Sequence, residues 1–137
     1  MDVVVTYRDT GQGNLRSMSN IYGKGPKGKA TKLHAALVRS RGDCESCGSC
    51  NHLQCAHIIS RKYSWTRTAL DNAFCLCARC HRHFTDNPIE FGQFTLGKIG
   101  EANYQSLLDR RNSIAKFDWD EEVIRLLAIA KEQGIAC

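Results

Sequence analysis

No long hydrophobic run occurs in this 137-residue chain, and none lies near its N-terminus. A membrane-spanning helix needs about 20 apolar residues in succession, and a secretory signal a core of about 7–15. Neither is expected, so no membrane partner is expected and a cytoplasmic location is. Large apolar side chains are sparse through the middle of the chain, which limits the core that a single domain of this length can bury there. Carboxylates are scarce at the front: residues 1–42 hold eight Lys/Arg and two acids. No internal repeat is visible. What is abundant is cysteine, with eight residues. Without a secretory segment to argue for an oxidising compartment, metal binding is the default reading of those thiols.

The net charge of +5 is unevenly placed. Residues 43–100 hold six basic and five acidic residues, and residues 101–137 hold five and seven. A basic front and an acidic tail fit a polyanionic partner on one side; a merely solvated basic terminus fits equally well until site chemistry is considered.

Along the chain, residues 1–30 read as a flexible basic arm. Gly11-Gln12-Gly13 and Gly23-Lys24-Gly25-Pro26-Lys27-Gly28-Lys29 cannot bury enough to order themselves, and Val3-Val4-Val5 is at most a short strand. Thr31 to Arg41 carries Leu33, Leu37 and Val38 on one side and reads as a helix ended by Gly42. His34 on it reads as a surface or boundary residue. Leu53–Ile59 and Ala73–Cys77 are short strand candidates, with Ser60–Leu70 a loop between them, and a helix begins at Ala78. Asn87-Pro88-Ile89-Glu90 has the form of a capped helix start, running toward Gly97 or Gly100. Glu101–Ala115 and a segment opened by Asp118 and stopped by Gly134 read as two further helices.

Two C-x-x-C pairs, Cys44/Cys47 and Cys77/Cys80, form a four-thiolate set for a structural zinc ion. Cys50 offers a competing pair with Cys47, and Gly48 favours Cys44/Cys47 because a tight turn after the second thiolate suits glycine. Cys55 and Cys75 read as buried thiols, with zinc ligation as the alternative. Trp65 and Tyr63 read first as the loop's own small core and second as base-stacking residues.

His57, Asn72 and His81 follow in order around these pairs. A neutral imidazole at His57 can take a proton from water. Asn72 can orient it. His81, beside a zinc cysteine, can present a nitrogen to a second, catalytic divalent ion, and Arg61, Lys62, Arg67 and Arg82 can hold phosphates.

These residues resemble the HNH, or ββα-metal, endonuclease superfamily, with His57, Asn72 and His81 as its signature letters. Within it, Cys55-x-His57-x-x-x-Arg61, Thr66-Arg67, Asn72 and Cys77-x-x-Cys80 are similar to phage recombination endonucleases of the Rap/NinG type. The resemblance covers roughly residues 40–100. It implies an α+β fold with a small ββα-metal core and structural zinc, flanked by an N-terminal helix and C-terminal helices. It implies phosphodiester hydrolysis in duplex or branched DNA with one Mg²⁺ or Mn²⁺ ion, His57 as general base and His81 as ligand. Many members place an Asp or His just before the base; here that position is Ala56, so the second protein ligand stays open among His83, Asp71, Asp86 and water. The expected organisation is an arm at 1–30, a nuclease domain with its zinc site at 31–100, and a helical extension at 101–137 that packs on the core or forms a homodimer. The competing reading is a zinc-stabilised DNA-binding module without catalysis; a zinc-dependent protein-interaction domain is a third.

Overall fold

The computed structural model describes residues 23–135. The possible strand at residues 3–5, most of the expected basic arm and Cys137 lie outside the described residues. The elements in order are α1 (Gly25–Arg39), β1 (Leu53–His57), α2 (Ser64–Arg67), a 3-10 turn (Leu70–Asn72), β2 (Ala73–Cys77), α3 (Ala78–Asp86), α4 (Pro88–Arg111) and α5 (Trp119–Glu132). This is a mixed fold, helices around one two-stranded antiparallel sheet.

The strands pair with Cys55 opposite Cys75, Ala56 opposite Phe74 and His57 opposite Ala73. Side chains alternate across a strand, so the hairpin has two distinct faces. Cys55, Ala73 and Cys75 pack with Ala35 and Val38 of α1. Ala56, Phe74 and Leu76 pack with Phe84 of α3 and Phe91 and Leu107 of α4. That second layer is aromatic: Phe84 stacks on Phe94 at 4.8 Å between centroids, and Phe74 meets Phe94 edge-on at 5.1 Å. Both strands are buried on both faces, and the polar Gln54 and His57 of β1 are buried with them.

Helix α1 begins at Gly25, six residues earlier than the apolar pattern predicts, with Pro26 in its first turn. Ala30, Leu33 and Leu37 bury against Val123, Leu126 and Ala130 of α5. Of the glycine- and lysine-rich lead-in at 25–30, Ala30 packs in this cluster, and tertiary contact of the helix it opens overrides weak local propensity. Strand β1 stops at His57 rather than Ile59, because Ile58 and Ile59 turn to meet Asn72. The loop 60–70 contains α2.

Asn87 does not cap α4 with its side chain. Its φ/ψ of −130°/70° turns its Nδ2 back to donate to the His83 carbonyl of α3 at 2.8 Å. Gly100, at φ 80° and ψ 164°, is non-helical and breaks Pro88–Arg111 into two helices, as the sequence indicates; the second ends at Arg111 rather than Ala115. Asp118 caps α5 as its sequence indicates, accepting from the Glu121 N–H at 3.1 Å. The C-terminal helix is thus intramolecular packing for α1.

Glu122 anchors α5 to the loop over the hairpin. It is buried, accepts from the Thr68 hydroxyl, and receives Arg125 Nε at 2.7 Å and Nη2 at 2.8 Å. Burial alone raises a carboxyl pKa, but the Arg125 and Thr68 hydrogen bonds outweigh it and hold Glu122 below the usual carboxylate range. Replacing Glu122 with Gln should cost about 1–3 kcal/mol in urea denaturation at pH 7. Because the native carboxyl has the depressed pKa, its contribution is present above the ordinary value of 4.5 and is lost as pH falls through the native value. The gap between wild type and variant should therefore narrow in acid; a gap unchanged down to pH 3 contradicts this role.

Candidate metal centre and the histidines around the hairpin

Cys44 and Cys47 lie in the loop after α1; Cys77 ends β2 and Cys80 lies in the first turn of α3. Both pairs make the same local turn. The Cys47 N–H points to Cys44 Sγ at 3.5 Å, and the Cys80 N–H to Cys77 Sγ at 3.5 Å. Gly48, at φ 81°, donates to the Cys44 carbonyl at 2.9 Å, a left-handed step that favours glycine. The four sulfurs lie within 4.8 Å of one another, and Cys47 and Cys77 are 3.7 Å apart. A tetrahedral zinc with Zn–S near 2.3 Å requires S···S edges of about 3.8 Å, so the donor set fits such an ion. The Ser49 N–H and neighbouring sulfurs draw the Cys47 thiol down to about 6, while burial pushes Cys80 up to about 12. Arg79 faces Cys47 and offsets part of the negative charge that four thiolates bring. Cys50 is exposed and outside this group, which decides between the two candidate pairs.

The loop carrying Cys44 and Cys47 is tied to the sheet by a residue the spacing did not single out. Glu45 Oε2 accepts from the Cys75 N–H at 2.6 Å and from Arg41 Nη1 at 3.0 Å, and its own N–H reaches the Cys75 carbonyl at 2.8 Å. Arg41 continues to the carbonyls of Ala73 and Leu70.

Among the described residues Asn72 makes no hydrogen bond to the His57 ring. Its Oδ1 accepts from the Ile59 N–H at 2.7 Å, and its Nδ2 donates to the carbonyls of Ile59 at 3.0 Å and Thr66 at 2.9 Å. This clamp closes the 58–72 loop. It sets the loop so that the Arg67 carbonyl accepts from His57 Nε2 at 2.9 Å. Asn72 and the His57 ring thus hold neighbouring carbonyls of the same loop, those of Thr66 and Arg67. The Nε2–H tautomer leaves the lone pair on Nδ1, which is buried and has no hydrogen-bond partner among the described residues. Burial first, then the nearby His34 ring and the charges of Arg61 and Arg67, keep His57 neutral, well below the usual histidine pKa.

His34 is not a surface residue. It is fully buried, 5.2 Å from the His57 ring between centroids. Its Nε2 donates to the Ala69 carbonyl at 2.9 Å, and its Nδ1 lies 3.9 Å from Cys55 Sγ. Its partners come from other elements, so no spacing within α1 could signal them.

His81 lies on the other side of the sheet. Its Nδ1 donates to Gln54 Oε1 at 2.7 Å, and Gln54 alternates with Cys55 and His57 along β1. The structure therefore brings His57 together with Arg61, Arg67 and His34, and sets His81 against the opposite face. His83 is exposed and pairs with Glu90 at 3.0 Å; Asp71 pairs with Arg110 at 2.6 Å; Asp86 and Arg82 are exposed. Arg67 is partly committed, donating to Thr31 Oγ1 at 2.8 Å and to the Arg61 carbonyl at 3.1 Å. Arg61 Nη1 is buried without a hydrogen-bond partner among the described residues.

Beside the loop is an open cleft of about 450 Å³ whose lining includes Lys62, Tyr63, Trp65, Arg111, Lys116 and Trp119, with no carboxylate among its lining residues. The Lys62 ammonium and Arg111 guanidinium sit 5.1 Å and 5.0 Å from the Tyr63 ring centroid. Trp65 Nε1 donates to the Ala115 carbonyl at 2.6 Å and its ring meets Phe117 edge-on, so it is chiefly packing.

Structural zinc contributes about 10–16 kcal/mol in small domains, as much as the whole stability of a domain. Cys77→Ser or Cys80→Ser should therefore abolish both bound zinc and the cooperative melting transition, whereas Cys50→Ser should leave both unchanged; elemental analysis and calorimetry check this. Comparison with family models, with curated proteins and with solved structures finds no match to this chain.

Proposed function

We propose that this protein is a metal-dependent DNA endonuclease of the HNH type, with β1, β2 and α3 as its ββα-metal core and the four cysteines around a structural zinc. The observation that carries this reading is the pairing at the end of β1. A neutral imidazole is locked in one tautomer by a backbone carbonyl, and beside it stand Arg61 and Arg67. Arg61 Nη1 and His57 Nδ1 are a donor and an acceptor, both buried and both without hydrogen-bond partners among the described residues. Unsatisfied buried polar atoms are costly, and such a pair suits a bound phosphate and its attacking water.

In this reading His57 takes the proton of that water, and Arg61 neutralises the phosphate with Arg67 as the strut that fixes its loop. Lys62 and Arg82 contact the DNA backbone, and the Tyr63 cleft takes an adjoining stretch of the strand. His81 would be the protein ligand of a Mg²⁺-class ion, its ring held by Gln54 much as ligating histidines commonly are. Mg²⁺ keeps most of its waters, so one protein nitrogen and Ala56 in place of a second ligand are compatible with loose binding. When bound, that ion supplies charge stabilisation at the phosphate and leaving oxygen.

One observation favours a second reading, a zinc-stabilised DNA-binding module without catalysis: His57 is only 1% exposed. Incubating the full chain with supercoiled plasmid separates the two. Nicking is expected with Mg²⁺ or Mn²⁺ and none with EDTA. His57→Ala should lower the rate about 10²–10⁴-fold in protein whose circular dichroism is unchanged. Binding without nicking under every divalent ion selects the second reading. A four-way junction, a linear duplex and a single strand compared in the same preparation identify the substrate.

A further inference from the structure

The hairpin face that packs on α1 carries three side chains that the nuclease reading uses only in part. His34 comes from α1, Cys55 and His57 from β1, and all three are buried. One ring nitrogen of each histidine and the Cys55 sulfur lie within 4.8 Å of one another. The two rings are held alike: each Nε2–H donates to a backbone carbonyl at 2.9 Å, His34 to Ala69 and His57 to Arg67. Both rings therefore carry their lone pair on Nδ1. His34 Nδ1 stands 3.9 Å from Cys55 Sγ, and His57 Nδ1 has no hydrogen-bond partner among the described residues. A pair of histidines buried only for packing would not leave a ring nitrogen unsatisfied, at a cost on the order of 1–3 kcal/mol. Histidines that ligate metals, by contrast, typically donate their other N–H to a carbonyl or carboxylate.

From this we infer a second metal site, His34–Cys55–His57, between α1 and β1, which takes a zinc-class ion. Imidazole and thiolate donors select borderline and soft ions over Mg²⁺ and Ca²⁺. Zinc bonds of about 2.0 Å to nitrogen and 2.3 Å to sulfur place tetrahedral N and S ligands about 3.5 Å apart, so small side-chain shifts close the 3.9 Å separation. Binding releases the Cys55 thiol proton to solvent, and two neutral imidazoles and one thiolate then face the ion. The site shares no residue with the four-cysteine centre. One consequence rests on the nuclease reading: an ion on His57 Nδ1 removes the lone pair that would accept the proton of water, so zinc at this site switches cleavage off. The site itself does not depend on that reading.

The full-length chain, produced with excess Zn²⁺ and then desalted, should hold two zinc ions by elemental analysis. Cys55→Ser and His34→Gln should each hold one, with the far-ultraviolet circular dichroism of wild type. With Co²⁺ in place of Zn²⁺, thiolate-to-cobalt charge-transfer absorption should be weaker in Cys55→Ser than in wild type. One zinc per wild-type chain, or two in both variants, overturns the site and leaves these side chains as a packed hydrogen-bonded cluster. Where a variant fails to fold, the wild-type count decides alone. No readout involves DNA, so loss of this inference and loss of the nuclease reading are separable.

Discussion

Asn72 spends every polar atom it has on the loop that crosses from β1 to β2. Its side chain binds the Ile59 N–H and the carbonyls of Ile59 and Thr66; its backbone binds Ile58 and Ala69. A buried amide satisfied this completely is expensive to disrupt, because each partner lost leaves a desolvated group behind. The consequences spread outward. The loop places the Arg67 carbonyl on His57, Arg67 on Thr31 of α1, and Thr68 on Glu122 of α5. One asparagine thus joins the hairpin to both helices on that side.

The hairpin it serves is too small to stand alone. Two five-residue strands make a sheet that is marginal in water. It persists because α1, itself backed by α5, covers one face, α3 and α4 cover the other, and the four cysteines bring the loop after α1 to the β2–α3 junction. This sandwiching also separates the two histidines of greatest chemical interest. His57 belongs to the α1 face and His81 to the α3 face.

What could be read from the sequence was local. The C-x-x-C spacings gave the sulfur cluster because a turn of that length aims both thiolates one way. Strand β2, the start of α3 and the Asp118 cap needed only neighbouring residues. The misreadings share a cause. Asn87 looks like a cap, but its side chain finds the His83 carbonyl across a tight helix junction. The lead-in at 25–30 looks unstructured, but it opens a helix whose Ala30 packs with Leu126 and Ala130. His34 looks like a surface residue, but the face on which it lies is closed by β1.

By itself, then, the sequence determined which ligating, basic and cationic side chains the chain carries and at what spacing: the four thiols, the imidazoles at 57 and 81, and the arginines of the loop. Their types and short-range spacing are set by covalent reach along the chain. Only the tertiary structure decided which of them meet. It put Asn72 on the loop backbone rather than on an imidazole, His81 on Gln54, and His34 beside Cys55 and His57. Those encounters depend on strand alternation and on which helix covers which face, and burial of apolar surface across the whole chain settles that.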